Sequence, residues 1–441
     1  MTVVHELPAS LFESLAGGGG GPEVVHALRS AQLSKHLLLI GDLLGHWSGD
    51  PRERDAIADV LGRARDRAPD RFAEVLSAPL VGAWLAIAVR ARQRDRVQPA
   101  DFNHLGALAV VAAATSGVDA EAEVAVREGS VAVPSLGAAI VESTVEVGSA
   151  STARLEARDG RLSVNADGHV IEIPADPTEE APGWRPVRWL AATEGARRIR
   201  VCLDDLDPYR HGHHAPPAPR LSAADVEKWR EVFAQAWSLL GEHVPERADE
   251  LRVGLRALVP LVQTDPHSAR SATMRHAFGV FGLTLPPSPA DFAVTMVHEF
   301  QHSKLSALLD LTPLTVPAHQ GRYFAPWRED PRPLPGLLQG VYAFVGVAET
   351  WACLRGAEGL GATAELQFAE ARLQVDWGLH SVEESGGLTA QGTELVERLR
   401  ATTDRLLAEE VPVAVTQVAE RALADARSRW QERNRDLTIA A

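Results

Sequence analysis

Residues 298–302 read His-Glu-Phe-Gln-His. On a helix, positions four apart share a face, so His298 and His302 can offer imidazole nitrogens to one metal ion. Glu299 sits one step round, where a carboxylate can orient or deprotonate a metal-bound water. A catalytic metal of this kind takes a third protein ligand and keeps an open position. The leading candidate is Glu349, the single ionisable carboxylate between Leu334 and Leu354. In so apolar a segment an ionised side chain is costly unless it is paired or bound to metal. His319, on the loop between the two segments, is the rival ligand. Tyr342 lies two helical turns before Glu349 on the same face and can donate a hydrogen bond to substrate. Arg322, Arg328 and Arg332 stand among aromatics and prolines, a composition suited to gripping carboxylates on a peptide or a small cosubstrate. Two histidines and a carboxylate describe a zinc hydrolase and a non-haem iron oxygenase equally well, and spacing leaves both open.

This chemistry requires a helix, and the sequence supplies its signals. Ser288 is a good N-cap, Pro289 suits the first turn, and Asp291 adds favourable charge there. Phe292, Met296, Phe300, Leu305 and Leu309 give an apolar stripe, and Pro313 stops the helix soon afterwards. A second helix is expected over Leu337 to Leu354. Upstream, HAFGVFGLTLP (His276 to Pro286) reads as an extended strand beside the first helix, able to pair its edge with an extended peptide. His211, His213 and His214 fall in a Pro- and Gly-rich stretch with no carboxylate at ligand spacing, and read as a solvated loop.

The whole chain has 441 residues, 45% hydrophobic and 23% charged, enough to bury large cores in two or three domains. The expected class is α+β. Residues 1–21 form a flexible segment ending in the hinge Gly17 to Gly21, 22–120 a helical domain, and 121–206 a β-rich segment. Residues 207–360 form the mainly helical metal-binding domain, and 361–441 the C-terminal helices. A net charge of −15 argues against gripping nucleic acid. Two cysteines, Cys202 and Cys353, exclude a disulfide framework and an all-cysteine metal site. No secretion signal and no uninterrupted apolar run of the roughly 20 residues that cross a bilayer appear, so a cytoplasmic protein is expected. Neither GxxxxGK[ST] nor GxSxG occurs, so phosphoryl transfer and a serine triad find no support.

The strings VHEFQHSKLSALLDL and RYFAPWREDPRPLPGLLQGVYAFVGVAETW, with LDDLDPYRHGHH, APRLSAADVEKW and QLSKHLLLI upstream, carry a resemblance. Over about residues 30 to 360 the chain resembles the HExxH-motif peptide modification proteins encoded beside ribosomally synthesised, post-translationally modified peptides (RiPPs). The resemblance implies a zincin-like metal domain and a precursor peptide as substrate, with no nucleic acid or membrane partner. Some members look like Fe(II)- and 2-oxoglutarate-dependent oxygenases that hydroxylate a peptide side chain. His298 and His302 would then bind iron, and one of Arg322, Arg328 or Arg332 would clamp the distal carboxylate of 2-oxoglutarate. Relatives place a histidine where this chain has Phe344, a departure that favours Glu349 as third ligand. The alternatives are a zinc metallopeptidase that cleaves the precursor, with Glu299 as general base, and a non-catalytic peptide-binding protein.

Overall fold

The computed structural model describes residues 5–94, 99–141, 151–211, 216–265 and 269–435 of the chain. The fold is α+β. Six helices come first: α1 (Ala9–Ala16), α2 (Gly21–Gly45), α3 (Pro51–Arg67), α4 (Pro69–Leu76), α5 (Pro79–Arg92) and α6 (Pro99–Ser116). Prolines open several of them at a position where the missing N–H has no intrahelical partner to lose. At α3 the preceding Asp50 carboxylate accepts from the Arg52 amide at 2.9 Å.

Among the described residues nine strands follow: β1 (Ala120–Val126), β2 (Ser130–Val133), β3 (Gly137–Ile140), β4 (Ser151–Arg158), β5 (Arg161–Ala166), β6 (His169–Glu172), β7 (Trp184–Pro186), β8 (Arg188–Glu194) and β9 (Arg197–Leu203). The β4–β5 and β5–β6 hairpins turn on Asp159-Gly160 and Asp167-Gly168, all four residues at positive φ, as two-residue type I′ turns require. Two antiparallel sheets, β1-β4-β5-β6 and β2-β3-β7, close over α3–α6. Trp84, Leu105, Leu155, Val164 and Trp184 lie in the core they share.

The second half continues with α7 (Ala223–His243), α8 (Pro245–Gly254), β10 (Ala257–Pro260), β11 (Ser271–Thr273), β12 (Val280–Leu283), α9 (Pro289–Leu308), β13 (Arg322–Tyr323), β14 (Arg332–Pro333) and α10 (Leu334–Leu354). It ends in α11 (Gly361–Glu383), α12 (Ala390–Leu407) and α13 (Val413–Arg433). A mixed sheet of order β11-β12-β10-β9-β8 forms its backbone, parallel at β9–β10 and β10–β12 and antiparallel at both ends. Thus the strands expected as one block over 121–206 divide: β1–β7 belong to the first half, while β8 and β9 join the sheet beneath α9. Their alternating pattern fits either sheet, and the choice is made by β10 and β12, which come much later in the chain.

Two further expectations change. The glycine run is not a hinge. Gly18 O accepts from Arg247 Nη1 at 2.7 Å and Gln301 Nε2 at 2.9 Å, Gly19 O accepts from Lys304 Nζ at 2.7 Å, and the Gly21 amide donates to Glu250 at 3.1 Å. Gly18 has φ +89°, and a Cβ there would stand 3.0 Å from Val345, so a larger residue fits neither the backbone nor the space. The C-terminal helices, set apart as 361–441, pack into the metal-binding half: Leu15, Leu305, Val345, Val375 and Leu399 share one core, which joins α1, α9, α10, α11 and α12. By length and composition α10 is the single helix that qualifies as a candidate membrane span among the described residues, the bent pair α4–α5 passing only together, and 72% of the α10 window is buried inside the protein. It is the central core helix of this half.

Candidate metal centre

α9 begins as the sequence dictates: the Ser288 hydroxyl accepts from the Asp291 amide at 3.1 Å and Pro289 fills the first turn. Phe292, Met296, Phe300 and Leu305 are buried as expected. Inside the motif, Phe300 and Gln301 point inward, Phe300 so close to Gly254 that a Cβ there would meet its ring at 2.1 Å. What remains partly open is the stripe Asp291, Thr295, His298 and His302.

The two histidines converge. Their Nε2 atoms are 3.2 Å apart and their rings stand nearly perpendicular. Two nitrogens each about 2.0–2.1 Å from one ion lie about 3–3.4 Å apart at angles between square and tetrahedral, so the pair fits a divalent metal. The tautomer fits as well. Gln339 on α10 has its amide nitrogen 3.4 Å from Ser306 Oγ, which turns its oxygen toward His302 Nδ1 at 3.0 Å. An amide oxygen only accepts, so His302 carries its proton on Nδ1 and presents a bare Nε2 to the shared site. Burial, with His302 beside it, pulls His298 down to about 4 against the opposing pull of Glu299, so His298 is neutral at pH 7.

Glu299 is buried, one oxygen 3.8 Å from His298 Nε2. The Thr273 hydroxyl on β11 reaches both its carboxylate and its backbone carbonyl, the latter at 2.9 Å. The edge of the sheet thereby fixes the motif's carboxylate in place. Above the pair opens a cleft of about 850 Å³ lined by His298, His302, Arg270, Arg328, Arg332 and Trp327 among others. Trp327 stacks on Phe344, ring centres 4.6 Å apart, and Phe344 in turn meets His298 edge-on at 5.3 Å. The Trp327 ring reaches this wall because α10 has Gly340 there, where a Cβ would stand 2.3 Å from it. Arg328 and Arg332 share Asp330 at 2.7 and 3.1 Å, while the buried Nε of Arg332 has no hydrogen-bond partner.

Other expected members are placed elsewhere. Glu349 pairs with Arg247 and, at 3.3 Å, with Arg405, within a buried network that also holds Glu250 and Lys304. The cost of burying its charge is met by arginines rather than by a metal. In that network burial pushes the Glu250 carboxyl up, but Lys304 and Arg247 outweigh it and hold it below the usual carboxylate range. Tyr342 is fully buried and donates to Leu15 O at 2.8 Å, so it braces the N-terminal segment and does not face the cleft. His319 stacks on Tyr323, its Nε2 2.6 Å from that hydroxyl, in a separate cleft with Phe324 and Trp377. Arg322 is exposed and is not part of the lining of the metal cleft. Among the described residues no set of three His, Cys, Asp or Glu side chains is arranged to hold a metal.

The strand expected over 276–286 is shorter, and β12 lies between β10 and β11, so it has no free edge. The edge is β11, whose Ser271 and Ala272 line the cleft. His213 and His214 lie outside the described residues, and His211 borders a different pocket. Sequence reasoning missed Gln339, Thr273 and Arg270 as parts of the site. Gln339 did leave a signal, an amide inside an apolar helix, while Thr273 and Arg270 left none. No protein-family model matches the chain, and no curated protein matches it. The reading of this centre therefore rests on its own residues.

Proposed function

We propose that this chain is a metal-dependent enzyme that modifies a ribosomally made precursor peptide in the cytoplasm, by side-chain hydroxylation with Fe(II) and 2-oxoglutarate. The observation that carries the metal reading is the pair of Nε2 atoms 3.2 Å apart, that of His302 left bare by the contact of its Nδ1 with Gln339. His298 and His302 hold the metal. When bound, such an ion supplies Lewis acidity and, if it is iron, the redox chemistry of oxygen activation. The cleft supports a carboxylate-bearing cosubstrate, since Arg270, Arg328 and Arg332 line it together with the two histidines. The second-half sheet, with an antiparallel edge strand beside the motif helix, looks zincin-like. Along that edge an extended peptide pairs with β11 through its backbone, which brings one side chain over His298. Trp327 and Phe344 keep water from one wall of the cleft.

One observation favours a second reading, a zinc metallopeptidase. Glu299 is buried, tied to Thr273, and within 3.8 Å of His298 Nε2, the position of a general base. The test loads anaerobically purified protein with Fe(II) and measures succinate formed from 2-oxoglutarate, with and without a candidate precursor peptide. Peptide-stimulated succinate that survives in Glu299→Gln supports the oxygenase. Peptide cleavage with zinc, abolished in Glu299→Gln and without succinate, supports the peptidase.

A further inference from the structure

A second cleft, of about 450 Å³, lies between α11, α13 and the segment around β13, and shares no lining residue with the metal cleft. Its size is within the range of small-ligand sites. Aromatic rings build it. Tyr323 and Phe324 are buried in its wall, Trp430 of α13 is only 3% exposed, and Trp377 of α11 is half-buried. The Phe324 ring centre stands 5.4 Å from that of Trp430 and 6.3 Å from that of Trp377.

One polar group in this lining is left over. The Trp430 indole N–H is buried, and it has no acceptor among the described residues. Buried donors are normally paired, so an acceptor carried in by a ligand would complete this one.

The charges narrow the choice of ligand. Arg427 lies over the Trp377 ring at 4.3 Å, so a cation already occupies that ring. Glu384, paired with His380 at 3.3 Å, opposes an anion. The lining therefore favours an uncharged occupant with apolar faces and hydrogen-bond acceptors. An extended, proline-bearing peptide offers both, since its rings lie on aromatic faces and its carbonyls are used by no internal hydrogen bond.

The cleft is also a neighbour of the metal centre. Phe324 lines one cleft and Trp327 the other, so at three residues' separation their Cα atoms are at most about 11 Å apart. Trp327 reaches back to α11 as well: a Cβ at Gly378, next to Trp377, would stand 3.0 Å from its ring. The same loop is tied to α13, where Asn434 donates to the Glu329 carbonyl at 3.2 Å.

We propose that this aromatic cleft docks an extended, proline-bearing peptide segment, with one of its backbone carbonyls accepting from Trp430. That the segment belongs to the peptide worked on at His298 rests on the functional reading above, while the docking itself does not.

The test uses the full-length protein, labelled at indole nitrogens, with an acetylated and amidated hexaproline as probe and a Gly-Ser peptide of equal length as comparison. Trp430→Phe identifies the Trp430 indole signal, and each variant is shown folded by circular dichroism. The expected result is hexaproline binding by calorimetry with a Kd below about 1 mM and a shift of the Trp430 indole signal. Affinity falls roughly fivefold in Trp430→Phe, which loses the N–H and keeps a ring, and about tenfold or more in Trp377→Ala. His298→Ala leaves binding unchanged. The proposal is overturned if the Trp430 signal stays still at about 10 mM hexaproline, if affinity survives both tryptophan substitutions, or if the Gly-Ser peptide binds as tightly. Loss of binding in His298→Ala overturns it too, since the peptide then lies in the metal cleft. Hexaproline bound by a protein that takes up no metal upholds the docking site and removes the functional reading instead.

Discussion

The Gln339 side-chain oxygen lies 3.0 Å from His302 Nδ1, and this contact from α10 decides which imidazole nitrogen faces His298. Gln339→Leu keeps the side chain's approximate bulk and removes the acceptor. Partners of this kind typically carry 10–100-fold in metal affinity, so a loss of roughly that size is expected. Gln339→Glu, which restores an acceptor, should recover most of it. A competitive chelator titration reads both values, and equal affinity for wild type and Gln339→Leu would remove Gln339 from the account.

Glu349 gives the opposite expectation. Its carboxylate is occupied by Arg247 and Arg405, so Glu349→Gln should leave metal affinity within about twofold, as for a distant independent site. The cost appears in stability instead. Weakening a charge-assisted contact to the buried Arg247, which keeps Glu250, should remove about 1–3 kcal/mol in urea unfolding. A large fall in metal affinity with unchanged stability would return Glu349 to the ligand set.

The pH dependence of stability has a defined sign at His104. Its folded-state value is about 3, against an ordinary 6.5. Between those values the unfolded chain takes up a proton that the folded chain refuses. The stability from this group is therefore complete above pH 6.5 and is lost as pH falls toward 3, by about 1.4 kcal/mol per pH unit. Urea unfolding at about pH 7, 6 and 5 should show a shallower acid loss in His104→Gln than in wild type. Parallel slopes for the two proteins would contradict the burial of a neutral imidazole.

Local signals proved the most legible part of the sequence. The N-cap and first-turn proline of α9 and its apolar stripe follow from short-range rules, and the structure bears them out. So did the pairing of His298 and His302, because helical periodicity alone puts them on one face. Long-range choices were not legible. A lone carboxylate in an apolar helix announces a partner without saying which, and Glu349 chose arginines from α8 and α12. The glycine run looks like a hinge until Arg247, Gln301 and Lys304, more than two hundred residues away, are seen to hold its carbonyls. Strands β8 and β9 resemble those before them, and only β10 shows which sheet they join.

The most direct test of the central claim is metal stoichiometry and affinity, measured by anaerobic Fe(II) and Zn(II) titration with elemental analysis. Wild type, His298→Ala, His302→Ala and Glu349→Gln are compared, each shown folded by circular dichroism. The account predicts about one tightly bound ion per chain in wild type and Glu349→Gln, and none in either histidine variant. Full binding in a folded His298→Ala, His302→Ala double variant would contradict it.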